Sequence, residues 1–187
     1  MNTITDHTTQ FNITGGELTG DNVIESHKTI GQLHNMFADE AARQKMDQSQ
    51  QVYRVQAYLP VPDGTTAGLF FGTTWIQPGT VGGEYFMTHG HFHQLADRGE
   101  YYWGLKGKGV LILMDEQRNG RAEQMYPGSL HYIPAYTAHR VANTGDEELV
   151  FSACWPSDAG HNYDEIKKNG FSKRLFNRNG VPTLEDI

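Results

Sequence analysis

From residue 51 onward the chain is cut by Gly, Pro and Asn into short runs of apolar, β-branched and aromatic residues, and this rhythm limits its fold most. The run Val52-Tyr53-Arg54-Val55-Gln56-Ala57-Tyr58-Leu59 precedes a turn cluster at 60–64. Further runs cover 68–77, 81–93, 100–105, 110–114, 122–126, 129–133, 139–143 and 148–155. Strands of this length and spacing imply an all-β sandwich or barrel. Lys106-Gly107-Lys108-Gly109 reads as a hairpin-like turn between two of them, and residues 164–169 as a helical turn ended by Gly170, with a last strand at 173–176. Residues 1–50 are polar, with a weak β signal at 10–14. Met36, Phe37, Ala41, Ala42 and Met46 are spaced for a short amphipathic helix over 35–46. The expected organisation is an N-terminal extension, 1–50, packing on the barrel or on a second subunit, and a barrel domain, 51–187.

The length of 187 residues suits one domain with a sizeable core. A formal charge of −7 leaves no basic patch for nucleic acid and no polybasic membrane segment. No apolar run approaches the ~20 residues of a membrane-spanning helix, and the amino terminus lacks a signal-peptide core. The lone Cys154 excludes an internal disulfide framework and fits a reducing cytoplasm. Within Val150-Phe151-Ser152-Ala153-Cys154-Trp155 it reads as a small core residue.

The chemistry concentrates in Thr88-His89-Gly90-His91-Phe92-His93, with Glu100 and His139 downstream. Residues two apart on a strand share a face and lie roughly 7 Å apart, so His91 and His93 can bind one metal ion together. Glu100 opens the next apolar run and His139 lies on a third. Three imidazoles and a carboxylate suit a divalent first-row ion and leave positions open for substrate. His89 shares the parity of His91 and His93, but Gly90 can break it, and His89 is read as a neighbouring substrate contact. His7, His27, His34 and His131 stand apart and read as surface or core residues. Lys106 and Lys108 read as solvated turn charges, and Arg140, alternating away from His139, as outward-facing. Tyr102 shares the face of Glu100; Trp103 does not.

These residues resemble the paired motifs of the cupin superfamily, a double-sheet jelly-roll β-barrel. His91, His93, Glu100 and Gly107 match the first motif, and Gly128, Pro134, His139 and Asn143 the second. Six residues separate His93 from Glu100 where many cupins have three or four, and Tyr136 stands where the second motif usually has Gly. Both departures, with Gly83 to His93, Tyr102, Leu105 to Gly109, Ala138-His139-Arg140 and Asp158-Ala159-Gly160-His161, are similar to the cupin-type phosphoglucose isomerases. The resemblance covers about residues 68–175. It implies interconversion of glucose 6-phosphate and fructose 6-phosphate in glycolysis and gluconeogenesis, by a homodimer. It implies one divalent metal ion per subunit (iron(II) first, manganese(II) or zinc as alternatives) on His91, His93, Glu100 and His139. It also implies sugar-phosphate contacts from Thr74, Thr88, Gly90, Tyr102, His161 and Tyr163. His89 stands where the family has Lys, and Trp155 where it has Tyr. Glu100 is the candidate base for proton transfer and His161 its assistant; a metal-assisted hydride shift is the rival. Another cupin enzyme, oxidising or decarboxylating a small acid, and a non-catalytic sugar-binding cupin are the alternatives, since one scaffold hosts many chemistries.

Overall fold

The computed structural model describes residue 4 and residues 7–187. Strands β1 (Gln10–Phe11) and β2 (Leu18–Thr19) pair with each other, and β3 (Val23–Thr29) follows. A 3-10 turn, Ile30–Leu33, and helix α1 (Glu40–Lys45) lead to β4 (Gln51–Tyr58), β5 (Leu69–Ile76), β6 (Thr80–Val81) and β7 (Glu84–Tyr85). Next come β8 (Glu100–Lys106), β9 (Gly109–Asp115), β10 (Gly120–Met125), β11 (Leu130–Ile133), β12 (Thr137–Asn143) and β13 (Leu149–Pro156). Helix α2 (Asp164–Asn169) and strands β14 (Lys173–Arg178) and β15 (Val181–Asp186) complete the order.

The fold is all-β, a single barrel of facing antiparallel sheets. One sheet has the order β11-β8-β13-β5-β4-β3 and the other the order β10-β9-β12. The segment between β7 and β8 extends the smaller sheet through bridges from Met87 to Ala142 and from His91 to His139. A third sheet, β15-β14-β7-β6, lies at one side. Alternation along β13 divides its side chains. Phe151, Ala153 and Trp155 face the barrel cavity, whereas the Ser152 hydroxyl lies 2.8 Å from that of Thr73, which is in reach of the β1–β2 hairpin loop. Trp75 Nε1 donates to the Gly15 carbonyl at 3.0 Å, tying that loop to the large sheet. Ile30, Leu33, Met36 and Phe37 join the core formed by Ile76, Phe86, Leu111, Leu113, Val141 and Phe151. At ~25 cal/mol per Å² their burial is a main source of stability.

Several expectations are corrected. The run at 81–93 is not one strand, because Gly82, Gly83 and Gly90 take positive φ and leave only β6, β7 and isolated bridges. The helix expected over 35–46 is six residues long; Asn35 has φ +61° and the Asp39 side chain caps the Ala42 N–H, so the helix starts late. Lys106–Gly109 is no hairpin: β8 pairs with β11 and β13, β9 with β10 and β12, so the turn crosses between sheets. Arg140 does face away from His139, yet it is 2% exposed, its guanidinium 3.9 Å above the Phe171 ring. The segment after α2 covers the face that parity assigns to solvent. Strand β15 was not expected, although Asn179-Gly180, both at positive φ, makes the two-residue turn that such a pair favours. Strand β3 was also missed; most of its residues are exposed. Tyr136, at φ +58°, adopts the backbone conformation that the usual Gly would supply.

Candidate metal centre and cavity

Three separate segments bring the donors together. Glu100 is the first residue of β8, His139 lies in β12, and His91 and His93 follow the left-handed Gly90, whose φ of +76° turns the chain between His89 and His91. The His91–His139 bridge is closed by two backbone bonds, 3.3 and 3.1 Å, which hold these two residues side by side. One donor atom from each of His91, His93, Glu100 and His139 lies within 4.8 Å of the others.

The hydrogen-bond partners set the donor atoms. His93 Nδ1 is 2.9 Å from the Arg98 carbonyl and His139 Nδ1 is 3.3 Å from the Thr137 carbonyl. A carbonyl only accepts, so each Nδ1 carries the ring proton and each Nε2 turns a lone pair inward. Those Nε2 atoms approach Glu100 Oε1 at 3.4 and 2.6 Å. Glu100 Oε1 and His139 Nε2 are nevertheless buried without an aligned hydrogen bond. Converging acceptors that lack donors are what a divalent cation satisfies, and the set fits one.

Burial acts to raise the Glu100 carboxyl, but His139 and His93 outweigh it and hold it at about 2. Burial, followed by the repulsion of His139 and His161, presses His91 well below the ordinary imidazole range. For His93 burial acts downward, and the neighbouring Glu100 outweighs it, so the net shift is upward. Tyr102 is pushed well up by burial and then by Glu100, so its hydroxyl stays protonated. His161 is lowered, chiefly by burial, and so stays neutral near pH 7.

His91, His93 and Glu100 border a cavity of about 390 Å³. Thr74, Thr88, Gly90, Tyr102, His161 and Tyr163 all line it, so every residue singled out for substrate faces one space. His139 stands behind the wall, 1% exposed. His89 also lines the cavity, stacked on Tyr163 with ring centroids 4.7 Å apart; its Nε2 has no partner, and burial brings it down to about 4. It lies outside the four-donor group. Trp155 closes part of the wall against Phe70, 5.9 Å between centroids.

The family model described as Glucose-6-phosphate isomerase (GPI) matches residues 27–184. The glucose-6-phosphate isomerase of Thermococcus litoralis is 39% identical over 166 residues, 89% of this chain and 87% of that protein. The chain belongs to the glucose-6-phosphate isomerase family. The Thermococcus onnurineus member is 41% identical over 85% of this chain and 84% of its own length. That of Sinorhizobium medicae is 40% identical over 76% and 67%. Among solved structures, oxalate decarboxylase from Bacillus subtilis aligns at 22% identity with a TM-score of 0.45. It covers 58% of this chain and 26% of its own, a likeness too loose to bear on the site.

Other cavity residues escaped the sequence reading. Lys28 and Ser26 enter from β3, and Tyr53 and Val55 from β4 beside them, Lys28 opposite Tyr53 and Ser26 opposite Val55. Alternation within Val23–Thr29 was the available signal, but the polarity of that stretch hides it. Among the described residues that line the cavity, Lys28 is the one lysine or arginine. Lys106 and Lys108 are exposed, as expected of turn charges, and Cys154 is half-buried in β13 with its thiol pushed up by burial.

Proposed function

We propose that this chain is a metal-dependent isomerase interconverting glucose 6-phosphate and fructose 6-phosphate. The observation that carries the reading is the donor centre at the wall of a cavity also lined by Tyr102, His161 and hydroxyl and amide donors, in a chain of this family. His91, His93, Glu100 and His139 hold the ion, iron(II) first, with manganese(II) or zinc as alternatives that the same N3O set accepts. When bound, a divalent ion supplies Lewis acidity toward the C1 and C2 oxygens.

The chain's residues divide the remaining work. The Glu100 carboxylate, swung from the ion or only weakly held by it, takes the proton from C2 of the open-chain aldose and returns it to C1. Neutral His161 passes the proton between the two oxygens, and the Tyr102 hydroxyl, held protonated, donates a hydrogen bond to the developing negative charge. Thr74, Thr88, the Gly90 N–H and Tyr163 orient the phosphorylated end. Lys28 gives that end its fixed positive charge. The enzyme is a cytoplasmic homodimer serving glycolysis and gluconeogenesis. The substrate pair, the single thiol and the open edges β3 and β11 of the large sheet support this placement.

The test is turnover of fructose 6-phosphate by metal-loaded protein without oxygen, run in deuterium oxide. Glucose 6-phosphate carrying solvent deuterium at C2 supports both the activity and proton transfer through Glu100. Product without deuterium shows transfer without solvent exchange, by a hydride shift or by a base shielded from water, and no turnover by fully loaded protein rejects the isomerase.

A further inference from the structure

The six residues between His93 and Glu100 link two parts of the site. The Arg98 carbonyl receives the His93 Nδ1 proton at 2.9 Å. The Arg98 guanidinium makes a two-point contact with Asp158, Nε to Oδ1 at 3.0 Å and Nη2 to Oδ2 at 2.8 Å. Its Nη1 also reaches Asp97 at 2.7 Å. Asp158 begins the segment that ends at His161. The two segments meet again where Leu95 N–H donates to the Ala159 carbonyl at 3.0 Å and where Phe92 and Asn162 exchange backbone bonds of 3.1 and 2.8 Å. Gly160, at φ +61°, brings its backbone so close to Gln94 that a Cβ there would lie 2.9 Å from the Gln94 Cβ.

We propose that Arg98 and Asp158 form a clasp that positions His93 for the metal and His161 for the substrate together. Both are positioning residues. The planar fork of arginine against a carboxylate fixes orientation as well as distance, which a lysine cannot do. The Asp158 side chain is 10% exposed, so water competes little for its oxygens. Freed from the clasp, the 94–99 loop carries the Arg98 carbonyl away from His93 Nδ1. The ring then loses the bond that sets its tautomer and aim. On the opposite side His161, held over the cavity through Asp158, loses its place relative to Tyr102 and Glu100. The catalytic half of this inference rests on the isomerase reading; the metal half does not.

The experiment compares R98K, D158N and the double variant R98K/D158N with wild type, using cobalt(II) as the probe. Cobalt affinity and its visible absorption spectrum report the ligand field directly. Loss of a group that orients a metal-bound imidazole costs about 10- to 100-fold in affinity. We expect a loss of that size and a changed spectrum in both single variants. Turnover falls through kcat more than through KM. The double variant is no worse than the worse single one, because the clasp acts as a unit. Wild-type cobalt affinity and spectrum in R98K and D158N overturn the proposal, as do strictly additive losses. If D158N does not fold, D158E, which keeps the charge but displaces it by one methylene, takes its place under the same criteria. Should loaded wild-type protein fail to isomerise, the isomerase reading falls while the cobalt titrations still decide the clasp.

Discussion

Gly90 offers the sharpest quantitative test of how the fold holds the site. A Cβ built there would stand 2.7 Å from Phe171 Cε2 and 2.9 Å from Arg140 Cβ, with φ at +76°. Two costs follow for Gly90→Ala. The left-handed backbone costs an L-residue about 1–2 kcal/mol. The clash adds about 1–3 kcal/mol, the usual range for overpacking, because Phe171 and Arg140 are 1% and 2% exposed and have nowhere to withdraw. The sum is about 2–5 kcal/mol, and a chain of this size loses about 2–4 °C in Tm per kcal/mol. Gly180→Ala is the control, since Gly180 has φ +84° but nothing within 4 Å of its added Cβ. It should show the backbone cost alone. Urea and thermal unfolding of chelator-treated protein would measure both. Gly90→Ala should also weaken metal binding, because the strained residue adjoins His91, whereas Gly180→Ala should not. Equal destabilisation by the two variants would refute the steric reasoning and show that the 88–93 segment yields freely.

Glu100→Gln keeps the volume but removes the one anionic donor. Metal content after dialysis should fall at least about tenfold and turnover with it; full metal and full rate would deny Glu100 both roles. Lys28→Ala should raise KM for fructose 6-phosphate about 10- to 100-fold, the worth of one charge-assisted hydrogen bond, and leave kcat nearly unchanged. An unaltered KM would remove Lys28 from the phosphate end. The metal-free protein should lose stability as pH falls from about 6.5 toward 4. Burial lowers His89 to about 4 and lowers His91 and His161 as well, so below 6.5 the unfolded chain binds more protons than the fold. Their contribution is complete above 6.5 and lost on acidification. His93, raised above its ordinary value, acts the opposite way but is outnumbered. Urea midpoints at pH 7.5 and 5 check the direction, and His89→Gln should flatten the slope; equal midpoints in the wild type would contradict it.

The metal donors were legible because an HxH pair, a downstream Glu and a distant His form a pattern whose chemistry is independent of exact strand geometry. Parity placed Tyr102 in the cavity and turned Arg140 away from it. Parity cannot say what lies beyond a sheet, however, and the covering by Phe171 made Arg140 a buried residue. Lys28 was hidden for a related reason. Its strand is polar enough to read as loop, and only pairing with β4 turns Ser26 and Lys28 toward the cavity. The turn at Lys106–Gly109 shows a third limit, since local residues announce a reversal without saying whether the next strand joins the same sheet.

A chain of formal charge −7 is an unexpected host for the phosphate dianion of the proposed substrate, and the resolution is local. Surface charges farther than a Debye length, ~8 Å at physiological ionic strength, are largely screened, so net charge says little about the cavity. Within it, Lys28 lines the wall, and Arg140, Lys167 and Lys28 all bear on His89, between Thr88 and Gly90. Arg140 lies behind that segment, its Cβ close to Gly90. Burial brings its guanidinium down to about 9, which leaves it charged at neutral pH. Its charge therefore acts through the Thr88–Gly90 backbone, where water does not screen it. With His89 neutral, no histidine cation is needed in the proposed phosphate site, since fixed charge reaches the Gly90 amide from behind and from β3. Phosphate affinity in this protein should therefore depend on those few cations and hardly at all on charge added or removed elsewhere on its surface.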